Sequence, residues 1–347
     1  MRRPWTLVIV SALAIIAAFA LADGLRSQAE PAAKPPQPRQ RERADGTQLP
    51  ERAGYARALR SAGVSGTLYV ADEDCRVRPL GLPELQWVGA VPAELLECSF
   101  AVSPDGNVLP GNEVVAPGRQ MLSARCSSGM VVVSSLLVGR EVGRVRDACA
   151  PAWKPNGLLT YVHQGEIWES RRTCIQCGRP LIRHAVLETI ARRAAEGPRH
   201  FVRPVAKSVV WLGPTRAVLV VDAGVREQQG SHLDILAFVD GGRLLGAPLV
   251  NRSFDDVRVS PHGSYVTARA SLPHDVLLWD RDGRLLTETP VGGATKIVWS
   301  PDERWAAIAT GGPSVFVLTT AGLARFDTGT RPRLLRVPVY AADVAWR

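Results

Sequence analysis

A chain of 347 residues with 46% hydrophobic content is long enough to bury a sizeable core, and all-β folds of this length are often single units. Its net charge of +9 comes from 42 Lys and Arg, of which only Lys34, Lys154, Lys207 and Lys296 are lysine. With abundant Ala, Gly and Pro, that is the codon habit of a GC-rich genome; no aromatic-basic interleaving or reading helix accompanies it, which argues against nucleic acid as a partner.

Residues 1–4 carry Arg2 and Arg3, and an uncharged apolar run follows from Trp5 to Ala22. A bilayer accommodates such a run and the arginines before it stay on the cytoplasmic side. Two readings remain open. Ala20-Leu21-Ala22 before Asp23 is a small-x-small pattern that a signal peptidase could cut, releasing a secreted protein. The favoured reading is an uncleaved anchor, since about 18 residues is near the minimum that spans a hydrocarbon core. Residues 23–63 then form a stalk, with Pro31, Pro35, Pro36 and Pro38 followed by charges of alternating sign. This composition cannot bury enough apolar surface to fold, so an extended spacer is expected, with room for a short helix around Arg52–Ser61.

From residue 64 to 347 a pattern recurs. Short apolar strands end in a turn marked by proline, as in Phe100-Ala101-Val102-Ser103-Pro104-Asp105-Gly106, and another strand follows. Related turns stand at Trp153-Lys154-Pro155-Asn156-Gly157, Trp211-Leu212-Gly213-Pro214, Val259-Ser260-Pro261-His262-Gly263 and Trp299-Ser300-Pro301-Asp302. Serine can bond its own turn backbone, proline presets φ, and Asp-Gly or Asn-Gly supplies left-handed residues. The interval between turns matches one four-stranded blade. Asp343-Val344-Ala345-Trp346 repeats the strand Lys296-Ile297-Val298-Trp299, and the first strands, near Thr67–Val70, lack a preceding strand of that type. The expected solution is that the C-terminal strand becomes the innermost strand of the first blade, closing a six-bladed all-β propeller and removing its edges. Trp153, Trp211, Trp299 and Trp346 are then packing between blades, and carbohydrate stacking is the lesser reading. A β-sandwich would explain neither the repeat nor the orphan final strand.

These strand-Ser-Pro-Asp-Gly-strand repeats resemble the TolB-like and WD-repeat-like propellers over residues 64–347, most clearly after Phe254. The resemblance implies the fold and is nearly silent on function, because propellers serve as scaffolds, receptors and enzymes.

Six cysteines in an exported chain suggest disulfides. Cys75 and Cys98 are as far apart as Cys126 and Cys149, which favours those two bridges, each joining one blade to the innermost strand of the next, among fifteen possible pairings. Cys174 and Cys177 are read as a small structural disulfide. A zinc pair completed from His163, His184 or His200 and a redox CxxC are the alternatives. A helical insertion is expected over about 174–200, with Pro180 at the first helical position, Ile182, Ala185, Val186, Ile190 and Ala194 on the apolar side, and Gly197-Pro198 at its end. Glu188 and Arg192 are spaced to pair. Arg179, Arg183, Arg192 and Arg193 give this part a basic surface, which is either solvated or a docking site for an acidic partner or anionic headgroups.

No catalytic, cofactor or metal constellation is legible. The nearest is a set of acids, Asp72, Asp74, Asp255, Asp256 and Asp343; the last three fall at starts of innermost strands, where they could face a channel mouth or simply cap strands. The leading expectation is a monomeric, membrane-tethered propeller outside the cytoplasm that binds a protein partner of the bacterial cell envelope, as scaffold or sensor. The alternative is a propeller hydrolase or small-molecule binder with its site at the central channel.

Overall fold

The computed structural model describes residues 49–89, 93–95, 98–103, 106–111, 113–117, 121–171, 174–194, 203–226, 232–246, 253–270, 276–288, 293–324 and 333–347. The n-region, the apolar run Trp5–Ala22 and the proline-rich stretch to residue 48 lie outside these residues. Among the described residues no helix is long and apolar enough to cross a membrane.

Pro50–Arg347 forms one compact unit. It opens with helix α1 (Leu49–Ala62), longer than the short helix expected there and no part of an extended spacer. Glu51 in the first turn and Arg60 in the last complement the helix dipole. Gly63, at φ +76°, ends it: the Gly63 N–H bonds the Arg60 carbonyl and the Val64 N–H bonds the Leu59 carbonyl, both at 3.0 Å. That double closure needs a left-handed residue, which glycine adopts at least cost. Leu59 and Val64 are both buried in the core beside the first sheet. The folded unit therefore begins before residue 64, because Leu59 supplies apolar surface that a solvated stalk could not.

The strands follow in chain order: β1 (Gly66–Ala71), β2 (Arg76–Leu82), β3 (Gln86–Trp87), β4 (Ala93–Glu94), β5 (Phe100–Val102), β6 (Val108–Pro110), β7 (Val114–Val115), β8 (Leu122–Ser127), β9 (Met130–Ser135) and β10 (Arg140–Arg146). Next come β11 (Ala148–Trp153), β12 (Leu159–His163), β13 (Glu166–Arg171), β14 (Cys174–Ile182), helix α2 (His184–Ala194), β15 (Val205–Trp211), β16 (Arg216–Arg226), β17 (His232–Asp240) and β18 (Arg243–Gly246). The last third holds β19 (Phe254–Val259), β20 (Tyr265–Ala270), β21 (Val276–Asp280), β22 (Leu285–Glu288), β23 (Lys296–Trp299), β24 (Trp305–Ala309), β25 (Val315–Thr319), helix α3 (Thr320–Ala324), β26 (Leu335–Val337) and β27 (Asp343–Trp346).

Five sheets are four-stranded meanders, β7–β10, β11–β14, β15–β18, β19–β22 and β23–β26, and a sixth is ordered β27-β1-β2-β3 with β4 also on β2. The first strands of neighbouring sheets pack on one another: β11 meets β7 and β15, β15 meets β19, and β27 meets β23 and β5. Apolar clusters fill the space between adjacent sheets, as where Leu219 and Ile167 share a core, or Trp279 and Phe238. A ring of sheets that bury their faces against each other is a β-propeller. Closure is as expected: β27 pairs antiparallel with β1, Leu68 opposite Trp346 and Ala71 opposite Asp343.

The repeated turns are explained atom by atom. The Gly106, Gly157, Gly263 and Glu303 N–H groups each bond the carbonyl three residues back, on Ser103, Lys154, Ser260 and Ser300, all at 2.9 Å. The buried serine hydroxyls of Ser103, Ser260 and Ser300 accept the N–H groups of Asn107, Tyr265 and Trp305 across the turn. The four tryptophans pack against the clusters between sheets, and three spend their indole N–H on a neighbour: Trp153 on the Val114 carbonyl, Trp211 on Thr160 Oγ1 and Trp346 on the Ser65 carbonyl.

Two expectations fail locally. Among the described residues Phe100–Val102 does not head a four-stranded sheet; β5 pairs with β6 in a separate two-stranded ladder, and β7 starts the next full sheet. The region after Cys174 starts as a strand: Pro180 lies in β14, opposite Trp168, and the helix begins at His184. β14 is the last strand of its sheet, where a proline's missing N–H costs no ladder bond. The buried side of α2 is Leu187, Ile190, Ala191 and Ala194, whereas Ala185 is exposed, so the helix is turned from the phase first assigned.

Candidate functional site

The innermost strands carry charged residues at the same end. β19 contains a bulge between Asp255 and Arg258 that leaves Asp256 at φ +48°. A non-glycine residue there is strained, and bulges commonly re-aim side chains at functional sites. Asp256 Oδ1 accepts the Arg258 Nε–H at 2.7 Å. Lys296 opens β23 and Asp343 opens β27, each only 6% exposed. The Lys296 ammonium donates to Asp343 Oδ1, which also accepts the Val344 N–H at 2.7 Å; Asp343 Oδ2 accepts the Phe100 N–H at 3.1 Å. One carboxylate thus ties β23, β27 and β5 together.

Asp256, Arg269, Thr295, Lys296, Ser99 and Asp343 line a cavity of about 510 Å³ at this point. Burial pushes the Lys296 amine down from 10.5 to about 8, helped by Arg258 and resisted by Asp343 and Asp256. Burial acts to raise the Asp256 carboxyl, but Arg258, Lys296 and Arg269 outweigh it and hold the group below its ordinary value.

The other two lysines of the folded unit are also paired. Lys207, in the bulge of β15, donates to Asp234 Oδ2 at 2.7 Å. That oxygen also accepts the Phe254 N–H at 3.0 Å and the Ser253 hydroxyl at 3.1 Å. Lys154 replaces the turn serine of its repeat; its ammonium reaches buried Glu169 at 2.9 Å and sits 4.6 Å from the Trp211 ring centre.

Of the acids singled out in the sequence, Asp256 and Asp343 come together with Lys296, and Asp255 lies in β19. Asp72 and Asp74 do not join them: Asp72 Oδ1 accepts the Asp74 and Arg76 N–H groups and caps the β1–β2 turn. Sequence reasoning assigns no role to Lys296, Arg258 or Arg269. The rarity of lysine in this chain was the available signal.

All three disulfides form: Cys75–Cys98, Cys126–Cys149 and Cys174–Cys177. Cys126 on β8 is joined to Cys149 on β11, the first strand of the next sheet, as the equal spacing implied. Such bridges fit an oxidising, extracytoplasmic environment. Beside Cys174–Cys177 lies a cleft of about 550 Å³ lined by Arg144, Arg146, Tyr161, His163, Trp168 and Gln176.

The four arginines proposed for docking are exposed. Arg179 lies on β14 and bonds Glu169 at 3.4 Å; Arg183 precedes α2; Arg192 pairs with Glu188 at 3.2 Å along α2, and Arg193 follows it.

No family model matches the chain, and no curated protein matches it in sequence. Its fold has partial likeness to solved structures. Dihydro-heme d1 dehydrogenase NirN in complex with DHE matches 74% of this chain at 13% identity and a TM-score of 0.39, and the chain spans about half (51%) of NirN. Kuenenia stuttgartiensis hydrazine synthase gives 16% identity and a TM-score of 0.43, covering 79% of this chain and 84% of that one. A chain of the mitotic checkpoint complex gives 10% identity and a TM-score of 0.40, covering 78% and 76%. The propeller assignment rests on this chain's own ring of sheets and its closure by β27.

Proposed function

We propose that this chain is a β-propeller of six full blades and one two-stranded ladder that works outside the cytoplasm, held to the membrane by Trp5–Ala22 and the proline-rich stretch behind it. It acts as a monomeric protein-interaction module of the cell envelope and docks an acidic partner through α2 and its flanks. The observation that carries the reading is the division of α2 into two faces. Leu187, Ile190, Ala191 and Ala194 are locked into the core with β15–β17, so the opposite side, with Arg183, Arg192 and Arg193, is held rigidly towards solvent. Exposed charges on a fixed helix steer and orient a partner more than they stabilise the fold.

The test is crosslinking in the native membrane with the full chain, against a variant carrying Arg179→Gln, Arg183→Gln, Arg192→Gln and Arg193→Gln. A defined acidic protein captured by the parent and lost from the variant is the expected result. Equal capture by both removes α2 from the interface, and capture of no protein removes the interaction role.

A further inference from the structure

The cleft beside Cys174–Cys177 has an unmet hydrogen bond in its lining. Tyr161 lines it and is only 1% exposed, yet its hydroxyl bonds no group among the described residues. Burial pushes the phenol up, so the group stays a donor at neutral pH. Gly178 makes room for it, since any Cβ there would collide with that hydroxyl. A buried O–H without a partner costs stability, and a ligand hydroxyl would complete it.

One wall of the cleft is a bulge. Glu169 on β13 pairs with Arg179, and Arg171 with Cys174, so residues 175–178 stand against Ser170 alone. Cys174–Cys177 pinches this bulge together. Ile175 packs across it into the cluster of Val131 and Val133 on β9, which ties two neighbouring sheets at the cleft and fixes the segment that carries Gln176. Bulges of this kind re-aim side chains beside functional sites. On the facing side, His163 meets Trp168 edge to face with ring centres 5.0 Å apart. The His163 Nδ1 lies 2.8 Å from the Asp147 carbonyl, which can only accept, so the neutral ring keeps its proton there and leaves Nε2 as an acceptor.

We propose that this cleft binds a neutral sugar unit of a glycan, independently of any docking through α2. The lining mixes donors with acceptors: the Tyr161 hydroxyl and the Gln176 amide do both, His163 Nε2 accepts and Arg146 donates. Its charges come in both signs, because Arg144 bonds Glu141 while Arg146 and Asp147 bring one each. A carboxylate or phosphate would need donors alone and would be opposed by Nε2 and Asp147. A sugar hydroxyl is donor and acceptor at once, and the C–H face of its ring can lie against the partly exposed Trp168. The volume of about 550 Å³ falls within the range of about 300–1,000 Å³ usual for small-molecule sites.

The test titrates full-length protein, in a detergent without sugar headgroups, with glucose, galactose, mannose, N-acetylglucosamine, cellobiose and chitobiose. Binding is read by saturation-transfer NMR of the sugar. At least one is expected to bind, and Tyr161→Phe, which deletes only the hydroxyl, should weaken it about threefold to tenfold. The same variant should resist denaturant as well as the parent or better, because it removes a buried polar group that lacked a partner; a hydroxyl with a structural role would give the opposite. If Tyr161→Phe disturbs the fold, Gln176→Ala at an exposed position of the bulge decides by the same loss of affinity. A disaccharide bound no more tightly than its monosaccharide overturns the glycan. No sugar bound at millimolar concentration, or galacturonate bound more tightly than galactose, overturns the neutral-sugar site. Affinity unchanged in both variants overturns its placement in this cleft.

Discussion

Two lysine–aspartate pairs in this ring are built alike and placed differently. In each, a lysine on a first strand donates to an aspartate that also accepts the N–H of a phenylalanine opening a neighbouring strand: Lys207, Asp234 and Phe254 in one, Lys296, Asp343 and Phe100 in the other. The Lys207 side chain is 39% exposed and can keep part of its hydration, while the Lys296 side chain is 6% exposed and cannot. At Lys207 the pair is a strand-end tie that water reaches, and at Lys296 it holds an amine from which water is largely excluded. Burial is the first cause of the lowered Lys296 amine, and Arg258 beside it adds to the effect.

The widest separation is expected on removing the acid. Asp343→Ala leaves Lys296 buried without a counter-ion and costs about 3–5 kcal/mol in a denaturant titration. Asp234→Ala leaves a lysine that can turn to solvent, so the loss is confined to the Phe254 and Ser253 hydrogen bonds, about 1–3 kcal/mol. Equal losses would erase the contrast. Next in size is the pH profile. The folded-state pKa of Lys296 lies below its ordinary 10.5, so between about pH 8 and 10.5 the unfolded chain holds a proton that the folded chain has released. Stability from this group therefore rises with pH across that window, by at most about 1.4 kcal/mol per unit, and it is missing below pH 8. Unfolding free energies of parent and Lys296→Arg, compared between pH 8 and 10, should diverge in that sense; parallel curves would mean an amine of ordinary pKa. The smallest effect separates the two lysines by size. Lys207→Arg should change stability by less than about 0.5 kcal/mol, because its side chain has room, whereas Lys296→Arg costs about 1–2 kcal/mol of overpacking.

The architecture was readable because its signals are local. Each Ser-Pro turn writes its own hydrogen bonds, and Asp343-Val344-Ala345-Trp346 is a visible copy of Lys296-Ile297-Val298-Trp299. The β5–β6 ladder was misread for the same reason: Ser103-Pro104-Asp105-Gly106 marks a hairpin equally well whether or not a third and fourth strand follow. Pro180 invited a helix start, since nothing in the sequence says that β14 is a sheet edge. The site was half legible. Asp256 and Asp343 stand out by position on their strands, but Lys296 becomes unusual only through its burial and the approach of Arg258 from another strand. One cue did lie in the composition. In a chain that otherwise uses arginine, the three lysines of the folded unit each meet a buried carboxylate.

Pairing β27 with β1 also sets an order of events during synthesis. The ring cannot be sealed until β27 has been made, so the edge of β1 that β27 covers waits unpaired until synthesis has passed residue 346. Contacts of such long sequence separation form late and slowly. Cys75–Cys98 and Cys126–Cys149 span only 23 residues each and can lock the early sheets in the meantime. A nascent chain halted before residue 343 should therefore be oxidised, partly structured and prone to pair that open edge with another chain.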